Sequence, residues 1–443
     1  MRPKTPLLIS LLLLATAPPL LRAGGPAAPV LENPAGTLTL RQALRLAVLQ
    51  NPELAAADTA VRAAEGRLLQ AGLRPNPSVF YEAENLVGSG PYRRAAQSES
   101  TLQISQLIEL GGKRAARVRV AASERDLSGF DYEGKRVDVL VAATRAFIQT
   151  LAAQERQATA EETARLAGEL VPAIQRRVDA GAANAVEVTR AQNAVATARI
   201  EAQQAARDLA TARQRLAAAW GADAPRFSAV AGDLDRLPPV PALETLAARL
   251  EENPAVARYA AETMQRRAAL TQARAAAVPD VTVALGPRYL AENGDVTARL
   301  NVSLPLPLFD RNQGNIRAAR AELVRADQLR RAAGNGLAVA LQDAYRSLLA
   351  ARQEIDTLQG TLLPGAENAA RQVDEGYAAG RFGLLDVLDT RRTLVGARLQ
   401  LLNARAAYHG ALCEIEGLTG RMRGAPVTRP STATKRPRST ARP

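Results

Sequence analysis

Apolar residues recur along this chain at two spacings, and the switches between them come in duplicate. From Leu40, the positions Leu44, Ala47, Val48 and Leu54, then Val61, Leu68 and Leu69, follow the three-to-four spacing of a helix. Thr39 is placed to cap that helix. Arg74-Pro75-Asn76-Pro77 stops it, because proline has no N–H and disfavours helix before it. The spacing then becomes two. Val79, Tyr81 and Ala83 alternate with Phe80, Glu82 and Glu84, and beyond a Gly/Ser/Pro loop Leu102 and Ile104 alternate with Thr101, Gln103 and Ser105.

The second copy is cleaner. Asn253-Pro254, Pro279 and Val281 repeat Asn51-Pro52, Pro77 and Val79 at an offset of 202 residues. Val281, Val283 and Leu285 alternate with Thr282, Ala284 and Gly286, and Asn293-Gly294 supplies a turn. Val296, Ala298, Leu300, Val302 and Leu304 then alternate with Thr297, Arg299, Asn301 and Ser303. After each strand pair the helical spacing returns for a long stretch, from Lys113 to about Ala180 and from Ile316 to about Ala378. Each stretch reverses at glycine. Gly181 with Val186-Glu187-Val188 matches Gly380 with Leu385-Asp386-Val387 at an offset of 199. A fixed internal period is the mark of a duplicated architecture. The expected organisation is a signal peptide over 1–23, a linker over 24–36 and a first repeat over 37–220. A Pro-rich connector over 221–242, a second repeat over 243–420 and a disordered basic tail over 421–443 complete it.

Four strands with one apolar and one polar face suit a barrel with lipid outside and water inside; the competing reading is a half-buried hairpin packed on helices. Four strands cannot close, and open edges do not exist in lipid. Two chains would give eight strands and three would give twelve. A wide, water-filled interior leading into long helices favours three. The fold class expected is mainly α with a small β part: a duplicated helix–hairpin–helix repeat. A trimeric twelve-stranded outer-membrane β-barrel would continue into a long periplasmic α-helical barrel.

Composition narrows the function. Aromatic residues make up 3% of the 443, while alanine, which combines high helix propensity with a small side chain, lets helix axes approach. The net charge of +13 is concentrated at the ends: Arg2, Lys4 and Arg22 at the start, and seven basic residues beyond Gly417. The body is near balance, so nucleic acid is not an expected partner. Arg2 and Lys4, the apolar run Leu7–Leu14 and small residues ending near Ala23 read as an export signal. That run is shorter than the roughly 20 residues a spanning helix needs. With no cysteine near the cleavage region, an anchor through an N-terminal Cys is not expected. A single histidine, His409, and a single cysteine, Cys413, give no set of metal ligands. No nucleophile–base pair and no phosphate or dinucleotide motif appears, so neither enzyme activity nor a cofactor is expected. Gly111-Gly112-Lys113-Arg114 lacks P-loop spacing. It reads as a strand-to-helix exit, as do Asp310, Asn312 and Gly314 in the second copy.

Four segments in order carry a family likeness: Leu38–Pro52 (LTLRQALRLAVLQNP), Ala71–Pro77 (AGLRPNP), Ser105–Arg114 (SQLIELGGKR) and Leu304–Asn315 (LPLPLFDRNQGN). They resemble the TolC family of outer-membrane efflux ducts over roughly residues 37–420. The last two look like the cobalt–zinc–cadmium, heavy-metal branch. The resemblance implies a homotrimer set in outer-membrane lipid, with a passive tunnel. Its tip would meet a periplasmic adaptor (membrane fusion) protein and, through it, an inner-membrane resistance–nodulation–division pump.

By the same resemblance, Asp386 and Asp389 of Asp386-Val387-Leu388-Asp389 line a periplasmic aperture, and Tyr377 helps hold it shut. The arginine expected at 382 is Phe382, with Arg381 one position earlier. Two carboxylates three apart share one side of a helix, and rings of them attract cations. The competing reading is that both acids cap and solvate a helix N-terminus. The reversals, with Gly181, Glu187, Gly380 and Leu385, are candidates for adaptor docking. Two rival functions stay open: the same duct serving organic compounds or polypeptide secretion, and a periplasmic coiled-coil adaptor or scaffold.

Overall fold

The computed structural model describes residues 33–420; the signal peptide expected over 1–23, most of the linker expected over 24–36 and the tail expected over 421–443 lie outside the described residues. The fold is mainly helical with a small β part, as the residue spacings predict. The chain begins with β1 (Gly36–Thr39), α1 (Leu40–Gln50) and α2 (Pro52–Gly72). Thr39 and Gln42 form a reciprocal capping box, the Thr39 N–H donating to Gln42 Oε1 at 2.9 Å. The helix expected to run on through Leu69 is divided at Asn51, which ends α1 and caps α2 by accepting from the Leu54 N–H at 3.0 Å.

Next come β2 (Ser78–Glu84), β3 (Glu99–Ile108), α3 (Lys113–Asp179) and α4 (Ala185–Ala218). At 1.5 Å per residue the 67-residue α3 is roughly 100 Å long. Then β4 (Phe227–Ala231) and α5 (Leu243–Arg249) lead into the second copy. It comprises α6 (Pro254–Ala276), β5 (Val281–Leu290), β6 (Asp295–Ser303) and α7 (Gln313–Thr357). A π turn (Leu358–Leu362) joins α7 to α8 (Leu363–Ala378), and α9 (Leu384–Leu418) returns.

The described residues hold six strands rather than the four expected. The additional pair, β1 and β4, is parallel and joins segments 191 residues apart. Its four- and five-residue strands are too short to show a periodicity. They form because Leu38, Phe227 and Val230 are buried together with Trp220. Gln154 of α3 fastens β4 by accepting from the Val230 N–H at 3.1 Å.

The other four strands make one antiparallel sheet in the order β2-β3-β5-β6, leaving β2 and β6 each with an open edge. Register puts the apolar alternates on one face: Val79 opposite Ile104, Ile104 opposite Leu285, Leu285 opposite Leu300. These side chains are exposed, Val79 by 68% and Leu300 by 65%. The reverse face carries an ion-pair ladder. Arg288 on β5 meets Glu84 at 3.2 Å and also Glu99, and Arg299 on β6 reaches Glu82 on β2 at 3.3 Å. That reach passes Gly286, where a Cβ would lie 1.9 Å from the Leu102 carbonyl. Glycine is required there by the approach of β3 to β5.

In the helical core Leu246 of α5 packs with Leu341, Leu348 and Ile355 of α7 and with Tyr408 and Ile415 of α9. Burying each such side chain stabilises by about 1.5–3 kcal/mol. The two copies close on themselves by the same contact. Asn51 Nδ2 donates to the Ala219 carbonyl at 2.9 Å, and Asn253 Nδ2 to the Leu418 carbonyl at 2.6 Å. One asparagine thus caps the helix it begins and satisfies the last carbonyls of its own hairpin. No helix among the described residues is long and apolar enough to cross a membrane.

Candidate functional site

The two helix reversals are built alike and lie together. Gly181 takes φ +73°, its N–H donating to the Val178 carbonyl at 2.9 Å and that of Ala182 to Arg177 at 2.8 Å. Gly380, also at φ +73°, donates to Tyr377 at 3.1 Å, and Arg381 donates to Gly376 at 2.8 Å. Both are Schellman ends, in which glycine adopts the left-handed conformation without Cβ strain. The restarts differ. Asn184 caps α4, accepting from Val186 at 3.0 Å, with Glu187 in the first turn. On α9, Asp386 reaches back and accepts from the Gly383 N–H at 2.8 Å.

Ile174, Ala191 and Leu384 are buried between the two tips, with Leu170, Val188, Tyr377 and Leu388 against them. Arg177 spans the junction. Its Nη1 donates to the Tyr377 carbonyl at 2.9 Å, and its guanidinium carbon stands 4.3 Å from the Tyr377 ring centre. Burial raises the Tyr377 phenol above its ordinary pKa; the Arg177 charge opposes this and the Glu187 carboxylate adds to it. The Phe382 ring fills the space beside Gly376, where a Cβ would come within 2.2 Å of it. Between α8 and α9, Arg391 Nη2 lies 3.2 Å from Asp374 Oδ2.

The structure therefore brings Tyr377, Glu187, Gly181, Gly380 and Leu385 to one end of the molecule. The arginine on Tyr377 is Arg177 of the first copy; Arg381 is exposed and makes no side-chain bond among the described residues. Asp386 serves as a helix cap through one oxygen and is exposed. Asp389 is exposed and has no ion pair or side-chain hydrogen bond among the described residues. Sequence reasoning missed Arg177 and the Asp374–Arg391 pair. The i,i+17 separation of that pair across a glycine reversal was a usable signal, whereas Arg177 meets a residue 200 positions away.

At the opposite end, the strand-to-helix exits are tied across copies. Gly111 and Gly112 both take positive φ. Gly111 faces Val278, whose Cβ would be 2.6 Å from an added Cβ. Asp280 accepts from the Leu110 N–H at 2.9 Å and pairs with Lys113 at 2.8 Å. In the second copy Asp310 Oδ1 accepts from the Asn312 N–H at 2.8 Å, holding Asn312 at φ 58°. Asn312 Nδ2 donates to the Ala273 carbonyl at 2.7 Å, and Gly314 follows in the first turn of α7.

Midway along, the segment after β4 is pinned to α9. Tyr408 donates to the Pro238 carbonyl, Arg405 pairs with Asp235, and His409 Nε2 lies 3.2 Å from the Leu234 carbonyl. Burial lowers the His409 pKa. One helical turn on, burial pushes the Cys413 thiol up to about 11. Among the described residues no group of three or more His, Cys, Asp or Glu could hold a metal ion.

With this geometry in view, four likenesses are informative. The family model described as "Outer membrane efflux protein" matches residues 43–222 and 246–421. The chain is 38% identical over 387 residues to the cobalt-zinc-cadmium resistance protein CzcC of Cupriavidus metallidurans, covering 87% of this chain and 91% of that one. To the nickel and cobalt resistance protein CnrC of the same organism it is 31% identical, covering 68% and 69%. The fold matches the open state of the Neisseria gonorrhoeae MtrE outer membrane channel with a TM-score of 0.73 at 19% identity, covering 87% of this chain and 89% of that one.

Proposed function

We propose that this chain, which belongs to the outer membrane efflux protein family, is the exit duct of a tripartite resistance–nodulation–division system that exports heavy-metal cations. The family consists of efflux channels rather than enzymes, and the duct is passive. The single observation that carries the reading is the β2-β3-β5-β6 sheet. Its exposed apolar face, charged reverse face and two open edges are what one protomer contributes to a closed barrel in lipid. Three copies close it at twelve strands, and the paired hairpins beneath form the helical tunnel.

At the far end, the Arg177–Tyr377 junction holds the two hairpin tips together, and Asp386 and Asp389 line the aperture. The exposed acid at Asp389 and the free oxygen of Asp386 give cations a favourable entry. The reversals at Gly181 and Gly380, with Glu187 and Leu385 beside them, dock the periplasmic adaptor. The adaptor in turn joins the inner-membrane pump. Metal as cargo is supported by the likeness to CzcC and CnrC. With no ligand cluster among the described residues, selectivity for the metal rests with pump and adaptor.

The test begins with the detergent-extracted membrane fraction, using native electrophoresis with light scattering and the mobility change on heating. A detergent-requiring species near three times the protomer mass is expected. A species soluble without detergent would assign the chain to the adaptor or scaffold class instead. In a strain lacking the protein, tolerance to cobalt, zinc and cadmium should fall and be restored by the gene. Unchanged metal tolerance with accumulation of an organic toxicant would move the cargo to that class.

A further inference from the structure

We infer that the base of the sheet carries a binding site for the phosphate of an anionic phospholipid from the inner leaflet of the outer membrane. The inference rests on the duct reading, which places the sheet in that membrane. Between the end of α2 and the first turns of α3, with Gln272 of α6 beside them, lies an open cleft of about 590 Å³. Three arginines line it, and they are not equivalent. Arg117 is a strut: it meets Glu109 at 2.5 Å and donates to the Ala71 and Leu73 carbonyls at 3.0 and 3.1 Å. Arg67 and Arg74 are exposed and carry no ion pair or side-chain hydrogen bond among the described residues. Two uncommitted guanidiniums on one cleft suit a phosphodiester, whose oxygens accept from such forks.

The level and the apolar wall identify the source of that phosphate. Arg74 stands five residues before Val79, the first outward apolar residue of β2. Extended chain spans at most about 18 Å over that distance, less when tilted. A headgroup layer of roughly 5–7 Å, plus the reach of an arginine side chain, closes that gap. Leu73, 51% exposed, lines the same cleft, and Leu69, 72% exposed, lies one turn earlier on α2. Charge alone would serve a free anion; charge beside exposed leucine serves an amphiphile. Glu124 of α3 also lines the cleft and opposes the anion, so its removal should act in the reverse sense to removal of the arginines.

The experiment uses the full-length complex in detergent, depleted of lipid and titrated with phosphatidylglycerol, phosphatidylcholine or inorganic phosphate, with bound lipid read by native mass spectrometry. Phosphatidylglycerol should bind preferentially, and Arg67→Gln with Arg74→Gln should weaken it about tenfold or more. Glu124→Gln should strengthen it, and inorganic phosphate at millimolar concentration should not displace it. Equal retention of the two lipids, or no effect of the arginine pair in a heat-modifiable complex of normal mass, would overturn the site. So would displacement by inorganic phosphate, which would make the cleft a free-anion site. A protein that needs no detergent would instead remove the duct reading, so the two failures are distinguishable.

Discussion

Replacing Arg177 by glutamine tests the proposed aperture at the Arg177–Tyr377 contact. Arg177 makes two contacts across the tip junction, the 2.9 Å bond to the Tyr377 carbonyl and the 4.3 Å placement over its ring. A hydrogen bond from a charged donor contributes about 1.5–3 kcal/mol net, and a cation over an accessible aromatic about 0.5–1 kcal/mol. Arg177 is half-buried, so solvent screening brings the total to about 1–2 kcal/mol per protomer. That range is roughly 5–30-fold in the equilibrium between joined and separated tips. In planar bilayers R177Q should raise open probability or conductance accordingly. Arg177→Lys should recover only part of the hold, since a compact ammonium lacks the planar fork. Tyr377→Phe keeps both ring and carbonyl and should stay near the parent, whereas Tyr377→Ala should resemble R177Q. If R177Q conducts like the parent while Tyr377→Phe opens the duct, the phenol carries the hold and the present reasoning is refuted.

Three further outcomes follow from the packing. Gly286→Ala sets a Cβ against backbone, 2.7 Å from Gln103 Cα as well as close to the Leu102 carbonyl, so β3 and β5 must part; the heat-modifiable oligomer should be lost on gels, whereas Gly294→Ala, in open space at φ +78°, should retain it. Asn253→Asp keeps the acceptor that caps α6 but loses the donor to Leu418, so the carbonyl penalty of about 1–3 kcal/mol should appear without the cap penalty of about 1 kcal/mol; hydrogen exchange should quicken at the end of α9 alone, and equal quickening at the start of α6 would show the two roles are not separable. Burial first, then Asp235 and Asp233 against Arg405, raise the Glu155 pKa. The folded state therefore holds that proton more tightly, and its contribution is present below about pH 4.5 and lost as pH rises through the folded value. Glu155→Gln should flatten that slope and raise the neutral-pH melting temperature; an unchanged slope counts against the assignment. His409 acts oppositely, its contribution being present above about pH 6.5 and lost on acidification.

The long elements were legible because each is periodic over many residues and bounded by residues with one mechanical meaning. Asn-Pro starts a helix, Pro stops one, and a lone glycine between two helices reverses it. Alternation also carried the face of every strand in the sheet, and register then joined those faces. What was not legible depends on partners distant in sequence. The β1–β4 pair is stabilised by burial of Trp220, Phe227 and Leu38, and nothing in nine residues of strand announces it. The split of the first helix at Asn51 was visible as Asn-Pro, but the running apolar spacing overrode it. At the tips, the motif led to Tyr377, Asp386 and Asp389, while Arg177 comes from the other copy. An acid at a helix N-terminus is favoured by the dipole, and the bond from the Gly383 N–H to Asp386 has the geometry of such a cap.

The two copies also differ in where their long helices are weakened, and the difference has an order to it. Pro172 in α3 stands nine residues before Gly181, and Pro364 in α8 stands sixteen before Gly380. Each proline follows a glycine four positions earlier, Gly168 and Gly360, at the carbonyl its ring would crowd. The seven-residue difference is two helical turns, about 10 Å. Measured from their own tips, both defects therefore fall on nearly the same face at staggered heights. Only the second is preceded by a π turn, where the Leu363 N–H donates to Leu358 five residues back. Kinks in long helices arise at such places. In the proposed duct, bending at these two points would set where the tips lie. Pro364→Ala restores an N–H and should relax the π turn, shifting conductance in the direction of R177Q while leaving the Arg177–Tyr377 contact chemically intact. If Pro364→Ala and Pro172→Ala both conduct like the parent, the tips are positioned by their mutual contacts alone.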